Sequence, residues 1–563
     1  MLHRSNRDKN VATASIGVND SLSIMATMIS PRSISTDSPD PHSATGKPLA
    51  SFAIHATLLA LVTLLAAFLR MHALTAKSFW LDEGISVDIA RLPWPRFLHA
   101  IWSGEANMVL YYLVLRFWLT FGSSEAFVRG LSVLFSVATV PAVYFLGARL
   151  FGRRVGLLAA LLLAINAYHI RYAQETRSYA MVVFFAVLAT WLLAKNLQEP
   201  SSAHWGIYAA VCAMATYSHF YAVLIVPAHA ISLLSWRRDE FPWRKLVGSF
   251  LAFVVMVAPI AIFIFAIYVL KTGTPPKLWF NPLQPDSLVL LGVDFSGVYG
   301  RLLLSLEMLA IGMAALGAAR VRRSGGDSGE AWGYTLLFSW LVAPVVMVVT
   351  VSLVKPLFVP RFLIFCLPAL LLVVAVGISR LRPAVLSWAL FVAISVCSIL
   401  ADSLYYQYDF EMRRQDWRAV TSYVFDRAQP GDSIFFCEPA GEAPFGFYSQ
   451  LQKSASLRPK TLHANWLEIE SDLNPLDPKL AGLVAVPGTN LRASPPVGSR
   501  VWLVLMFLDG GWEEEDKGKA VAKWLSNGRQ QVDAQDFYPL KVVLYDRNAG
   551  GSLPSSDRAS GNR

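Results

Sequence analysis

Long apolar runs recur along the first 400 residues of this chain, beginning with Ser51 to Leu69, which carries no charge. About 20 such residues cross a bilayer as a helix, and in lipid a helix satisfies its own backbone groups. The expected fold class is therefore an α-helical polytopic membrane protein. Composition agrees: 55% of residues are hydrophobic and 16% charged, against about a quarter charged in soluble chains.

Further candidate spans lie at 127–148, 155–170, 178–194, 205–218, 220–236, 246–270, 302–319, 332–354, 362–379 and 384–401, about eleven in all with the first. Basic residues then recur after every second span: Arg149, Arg153 and Arg154; Lys195; Arg237, Arg238, Arg244 and Lys245; Arg320, Arg322 and Arg323; Arg380 and Arg382. By the positive-inside rule these loops are cytoplasmic. The net charge of +10 thus reports orientation, and no nucleic-acid partner is expected.

The same parity excludes a crossing by Val109 to Phe121, because that would place Arg153 and Arg154 on the wrong side. This segment is expected to lie on the membrane surface, with Tyr111, Tyr112, Arg116 and Trp118 at the interface. The stretch from Trp205 to Trp236 is expected to be a hairpin turning near His219. Eleven spans put the N-terminus inside, on a cytoplasmic tail of residues 1–48 too polar to fold, and the C-terminus outside. No cleaved signal peptide is expected, the first span serving as insertion signal. The four cysteines suggest neither a disulfide framework nor a CxxC metal site.

Polar residues that need a reason gather in the outer loops. Asp82 and Glu83 are adjacent in KSFWLDEG, just beyond the first span, where a carboxylate pair beside lipid must be solvated, paired or used. Arg129 opens the second span. Arg171, Glu175, Arg177 and Tyr179 fall in RYAQETRSY, with Arg171 and Glu175 at helical i,i+4 spacing. His219 sits in TYSHFYA and Arg361 in VPRFLIFCLPAL. Each has a plainer reading as an ion pair, a snorkelling base or an interfacial histidine. Together, carboxylates and arginine forks at one membrane surface point to chemistry on an anionic, lipid-linked substrate.

These segments resemble the bacterial glycosyltransferase family 39-like enzymes of the GT-C superfamily, relatives of protein O-mannosyltransferases and of the lipid A aminoarabinose transferase. The resemblance covers roughly residues 50–420 and rests on WLDE at Trp80 to Glu83, LYYLVLRFWL after GEAN, RYAQETRSYA, YSHFYA and PRFLIFCLPAL. It implies inverting transfer of a sugar from a polyprenyl phosphate to an envelope lipid, glycan or protein acceptor outside the inner membrane. Asp82 would be the catalytic base, with Glu83 beside it, and Arg129, Arg177 and Arg361 would face the phosphate. Relatives often carry Pro-Pro or Lys-Pro before the LYYL-like helix. Here stand Glu105, Ala106, Asn107 and Met108, leaving Glu105 and Asn107 as that loop's polar contacts. Glu105 and His219 also match positions that hold a divalent metal in some relatives.

Beyond Asp402 the pattern changes. An amphipathic helix from Trp417 to Arg427, a Pro430-Gly431-Asp432 turn, strands at 433–437, 501–507 and 542–545, and a helix at 513–525 predict a small α/β domain over 402–549, followed by a polar tail from 550. It carries no catalytic motif, and its expected role is to cover the site or select the acceptor. A transporter or flippase, or a polysaccharide polymerase, is the alternative for the whole chain. A transporter would show internal repeats and charges at the midplane, whereas here the charges sit at one surface.

Overall fold

The computed structural model describes residues 47–101, 106–236, 241–265, 282–297, 300–325, 327–409, 415–451, 460–461, 499–506, 512–526, 528–537 and 539–548. The expectations for the N-terminal tail, for Glu105 and for the C-terminal tail fall outside these residues or nearly so.

The chain is mostly helical, as the apolar runs require. Helix α1 (Lys47–Met71) is followed by α2 (Leu81–Arg91), α3 (Trp94–Ala100), α4 (Val109–Trp118), α5 (Glu125–Phe151), α6 (Arg153–Ala164), α7 (Ala167–Ala173) and α8 (Tyr179–Gln198). Then come α9 (Trp205–Ser218), α10 (Ile225–Leu233), α11 (Trp243–Phe265), α12 (Ser287–Ser296), α13 (Arg301–Arg323), α14 (Ser328–Ser352), α15 (Leu367–Arg380) and α16 (Ala384–Leu404).

Among the described residues eight helices are long and apolar enough to cross a membrane, or nine if the bent pair α6 and α7 makes one span. The expected count of eleven is reached only by adding α9 and the segment Phe220–Leu233. At about 1.5 Å per residue each of these is near 21 Å, short of a 30 Å core. The bend of 61° between α6 and α7 has a local cause. The Asn166 carboxamide accepts from His169 N at 2.9 Å, capping α7, and donates to the Phe295 carbonyl at 2.8 Å.

Helix α1 leaves Leu58, Leu61, Leu64 and Phe68 exposed, as a lipid-facing helix does, whereas in the span Pro360–Arg380 94% of an 18-residue apolar stretch is buried. Small residues permit that burial. A Cβ on Gly377 would lie 1.8 Å from the Ala310 carbonyl oxygen, and Gly147 and Gly156 meet where α5 and α6 pack. Helix α4 turns one face inward and leaves Leu113 and Phe117 exposed. Tyr111 and Tyr112 are fully buried, Tyr111 Oη meeting Ser132 Oγ at 2.9 Å, so two of its expected interface anchors are packing residues.

The C-terminal region forms a five-stranded sheet of order β2-β1-β3-β5-β4, from β1 (Ser433–Phe436), β2 (Lys460–Thr461), β3 (Arg500–Met506), β4 (Gln530–Phe537) and β5 (Leu540–Asp546). The first three strands in that order are parallel and the last pairings antiparallel. Helices α17 (Trp417–Arg427), α18 (Glu442–Ser449) and α19 (Trp512–Ser526) accompany it. Val521 and Leu525 of α19 pack on Val501, Leu503, Val543 and Tyr545. The short β2 and the edge strand β4 add to the expected elements. The sequence of β4, QQVDAQDF, is too polar to read as a strand, because an edge strand needs little burial.

Candidate active site

Helix ends converge to build the site. Glu83 lies in the first turn of α2, where the helix dipole favours a carboxylate, and its Oε2 accepts from Trp80 N at 3.4 Å. The same carboxylate receives Arg129 from α5: Nε donates to Oε1 at 2.8 Å and Nη2 to Oε2 at 2.7 Å. Thr176 N donates to Oε1 at 2.9 Å. Arg129 spends its other donors on the carbonyls of Leu74, Lys77 and Ser78. Both side chains are almost wholly buried. Every Arg129 donor is thus engaged within the protein, and Glu83 accepts four hydrogen bonds, so the pair ties the wall of the site together.

Asp82 differs from its neighbour. A quarter of its side chain is exposed, and its nearest cation is Arg177, with Nη2 3.6 Å from Oδ2. Arg177 Nη1 also lies 3.3 Å from Ser86 Oγ, one turn along α2. The pairing is long and partly solvated, so the carboxylate stays open to a further group.

Next to it His219 breaks the backbone between α9 and the following turn in an extended conformation. Its Nδ1 accepts from Tyr221 N at 3.3 Å, and its Nε2 lies 3.3 Å from Asn107 Nδ2. Asn107 Oδ1 accepts from Phe220 N, so Asn107 holds this turn. The rings of Tyr179 and Phe362 lie 6.1 and 4.6 Å from the imidazole. Burial, and then the positive charges of Arg177 and Arg361, push His219 down to about 3, so the ring is neutral. Among the described residues no three His, Cys, Asp or Glu side chains gather for a metal ion. Glu105, the other residue expected at a metal, lies outside the described residues, and no step is assigned to a metal.

A cavity of about 260 Å³ opens beside this cluster. Lys77, Ser78, Trp80, Glu83, Arg129, Arg171, Tyr172, Gln174, Glu175, Arg361, Tyr405 and Gln415 line it. Arg171 and Glu175 meet at 3.7 Å as their spacing predicts, and burial raises the Glu175 carboxyl, opposed by the charge of Arg171. Arg171, Arg361 and Lys77 give the cavity its cationic character. Asp82, Arg177, Tyr179, Asn107 and His219 do not line it. They stand beside it, linked through Arg177 and through the α2 turn that Asp82 shares with Glu83.

Sequence reading missed Lys77, Ser78, Trp80, Tyr172, Gln174, Tyr405 and Gln415 as wall residues. Lys77 to Trp80 precede the acidic pair in the same motif and were within reach. Tyr405 and Gln415 follow the last span with no motif around them.

Similarities to known proteins stand beside this geometry. The family model described as dolichyl-phosphate-mannose-protein mannosyltransferase matches residues 106–266. ArnT from Cupriavidus metallidurans in the apo state superposes with a TM-score of 0.58 at 12% identity, covering 90% of this chain and 100% of that one. The same protein bound to undecaprenyl phosphate gives 0.55 at 13% identity, covering 91% and 100%. No curated protein sequence matches the chain. The expected helical membrane fold followed by a C-terminal domain therefore stands, as the architecture shared with ArnT over nearly the whole chain.

Proposed function

We propose that this protein transfers a sugar from a polyprenyl-phosphate carrier to an acceptor, using the cavity between Arg171, Arg361 and Lys77 for the donor phosphate. The observation that carries the reading is the division of labour on α2: Glu83 is closed into an ion pair with Arg129 while Asp82, the next residue back, stays open beside a cationic cavity. A structural neighbour with this fold has been seen with undecaprenyl phosphate.

In this mechanism Arg361 and Arg171 hold the phosphate oxygens and stabilise the charge that develops as the bond from the anomeric carbon breaks. Asp82 takes the proton of the acceptor's attacking hydroxyl or amine. Phosphate is already a good leaving group, so no acid is needed, and one displacement inverts the anomeric carbon. Arg177 orients Asp82. Lipid, glycan and protein acceptors all suit this chemistry.

The orientation follows from the basic loops: the site faces the periplasm, in the inner membrane, with the C-terminal domain on the same side. Mass spectrometry of envelope lipids and proteins from a deletion strain tests the reading. A missing sugar that returns with the wild-type gene, but not with Asp82→Asn, supports it. An unchanged envelope in the deletion strain rejects it. A thiol placed after residue 549 should react with impermeant reagents added outside, and one in the 320–323 loop should not.

A further inference from the structure

The C-terminal domain reaches into the site through backbone contacts that no motif announces. The N-terminal turn of α2 begins with amide groups that its own helix cannot satisfy. Trp80 N is served by Glu83, but its two neighbours depend on residues more than 300 positions away. Phe79 N donates to Tyr448 Oη at 2.7 Å, and Leu81 N donates to Gln415 Oε1 at 2.9 Å. Tyr448 Oη in turn donates to Glu125, the first residue of α5, and Arg418 pairs with that carboxylate at 2.5 Å. Arg418 also binds the α1–α2 connection, its backbone N donating to Ser78 Oγ at 3.1 Å and Nη2 to the Thr75 carbonyl at 3.0 Å.

Packing fixes the same turn from its other side. A Cβ on Gly84 would lie 2.5 Å from Pro444 N, so α2 and α18 touch through backbone where only glycine fits. The Phe79 and Phe447 rings lie 4.5 Å apart. Tyr448 is buried and is not part of the cavity wall.

We propose that Tyr448 and Gln415 are positioning residues: by completing the N-terminal turn of α2 they set the place of Asp82, which makes the C-terminal domain a working part of the catalytic unit. The proposal rests on the reading of Asp82 as base. Sugar transfer needs the carboxylate within hydrogen-bond reach of the acceptor, a tolerance that an eleven-residue helix with open N-terminal amides does not hold. Two distant side chains supply what the local sequence lacks.

Tyr448→Phe and Gly84→Ala in the full-length protein test this from the two sides of the contact. Hydrogen exchange over residues 78–86 should accelerate by about tenfold in Tyr448→Phe, because one amide loses its acceptor. For each folded molecule, kcat should fall by roughly tenfold while the donor KM stays within about twofold, since Tyr448 does not line the cavity. A merely structural role would lower yield and melting temperature but leave kcat intact. Gly84→Ala should reproduce the pattern, and if it fails to fold Tyr448→Phe still decides. Unchanged exchange, or faster exchange with full kcat, overturns the proposal. Full activity of Asp82→Asn would instead reject the base on which it rests, a result separable from both.

Discussion

Glu83 and Asp82 are consecutive, yet they enter regions built on opposite terms. Around Glu83 every acceptor and every Arg129 donor has a partner within about hydrogen-bond distance, and the pair is sealed from solvent. Around Asp82 the contact to Arg177 is 3.6 Å and a quarter of the side chain is open. The closed region fixes where α1, α2 and α5 meet. The open one keeps a carboxylate available. The difference teaches that, at one helix N-terminus, a saturated charge can fix packing while its neighbour stays open to a further group.

Asp82→Asn should break the open region alone. The amide keeps the volume, so the protein should fold and insert, but transfer should fall by about a hundredfold to ten-thousandfold, the usual loss for a general base. The measurement is turnover with a polyprenyl-phosphate sugar, corrected for folded protein. Wild-type turnover would place the base elsewhere.

Glu83→Gln should break the closed region instead. It leaves Arg129 buried without its counter-charge, at a cost of about 3–5 kcal/mol. The expected result is poor yield and a lowered melting temperature in detergent, with residual activity in whatever folds. A stable Glu83→Gln protein that is inactive would reverse the assignment of the two carboxylates.

Arg361→Ala should raise the donor KM by about tenfold to a hundredfold, as loss of a charge-assisted contact does, and Arg361→Lys by less. Donor saturation curves unchanged in both variants would return Arg361 to a role as membrane anchor and confine the open region to Asp82 and Arg177.

His219 gives the smallest effect, on stability. The unfolded chain binds a proton on this ring near 6.5 and the folded chain only near 3, so stability falls as pH drops through that window and recovers as pH rises. His219→Gln should remove about 2 kcal/mol of the stability lost between pH 7 and 5, read as melting temperature across that range. An unaltered slope would mean that the imidazole titrates normally.

The sequence made the spans legible because lipid burial leaves a direct record in long apolar runs. Its motifs also brought Asp82, Arg177, His219 and Arg361 to one end of the helices. Two things escaped it. Local spacing does not say which of two adjacent carboxylates an arginine 46 residues away will neutralise. Nor does it reveal that Leu81 N finds its acceptor in Gln415, because that bond depends on how a separate α/β sheet docks. Two tyrosines of helix α4 escaped it for a related reason: Tyr111 and Tyr112 have the composition of an interface but pack inward, which only tertiary contacts decide.

The span around α15 carries one more implication, for the order of events in synthesis. It is largely buried and packs against α6 and α13, yet it emerges from the ribosome about 200 residues after α6. At roughly 5–20 residues per second, α6 waits about 10–40 s for its partner. Until then α6, most of whose residues are buried in the finished protein, stands without the helix it packs against.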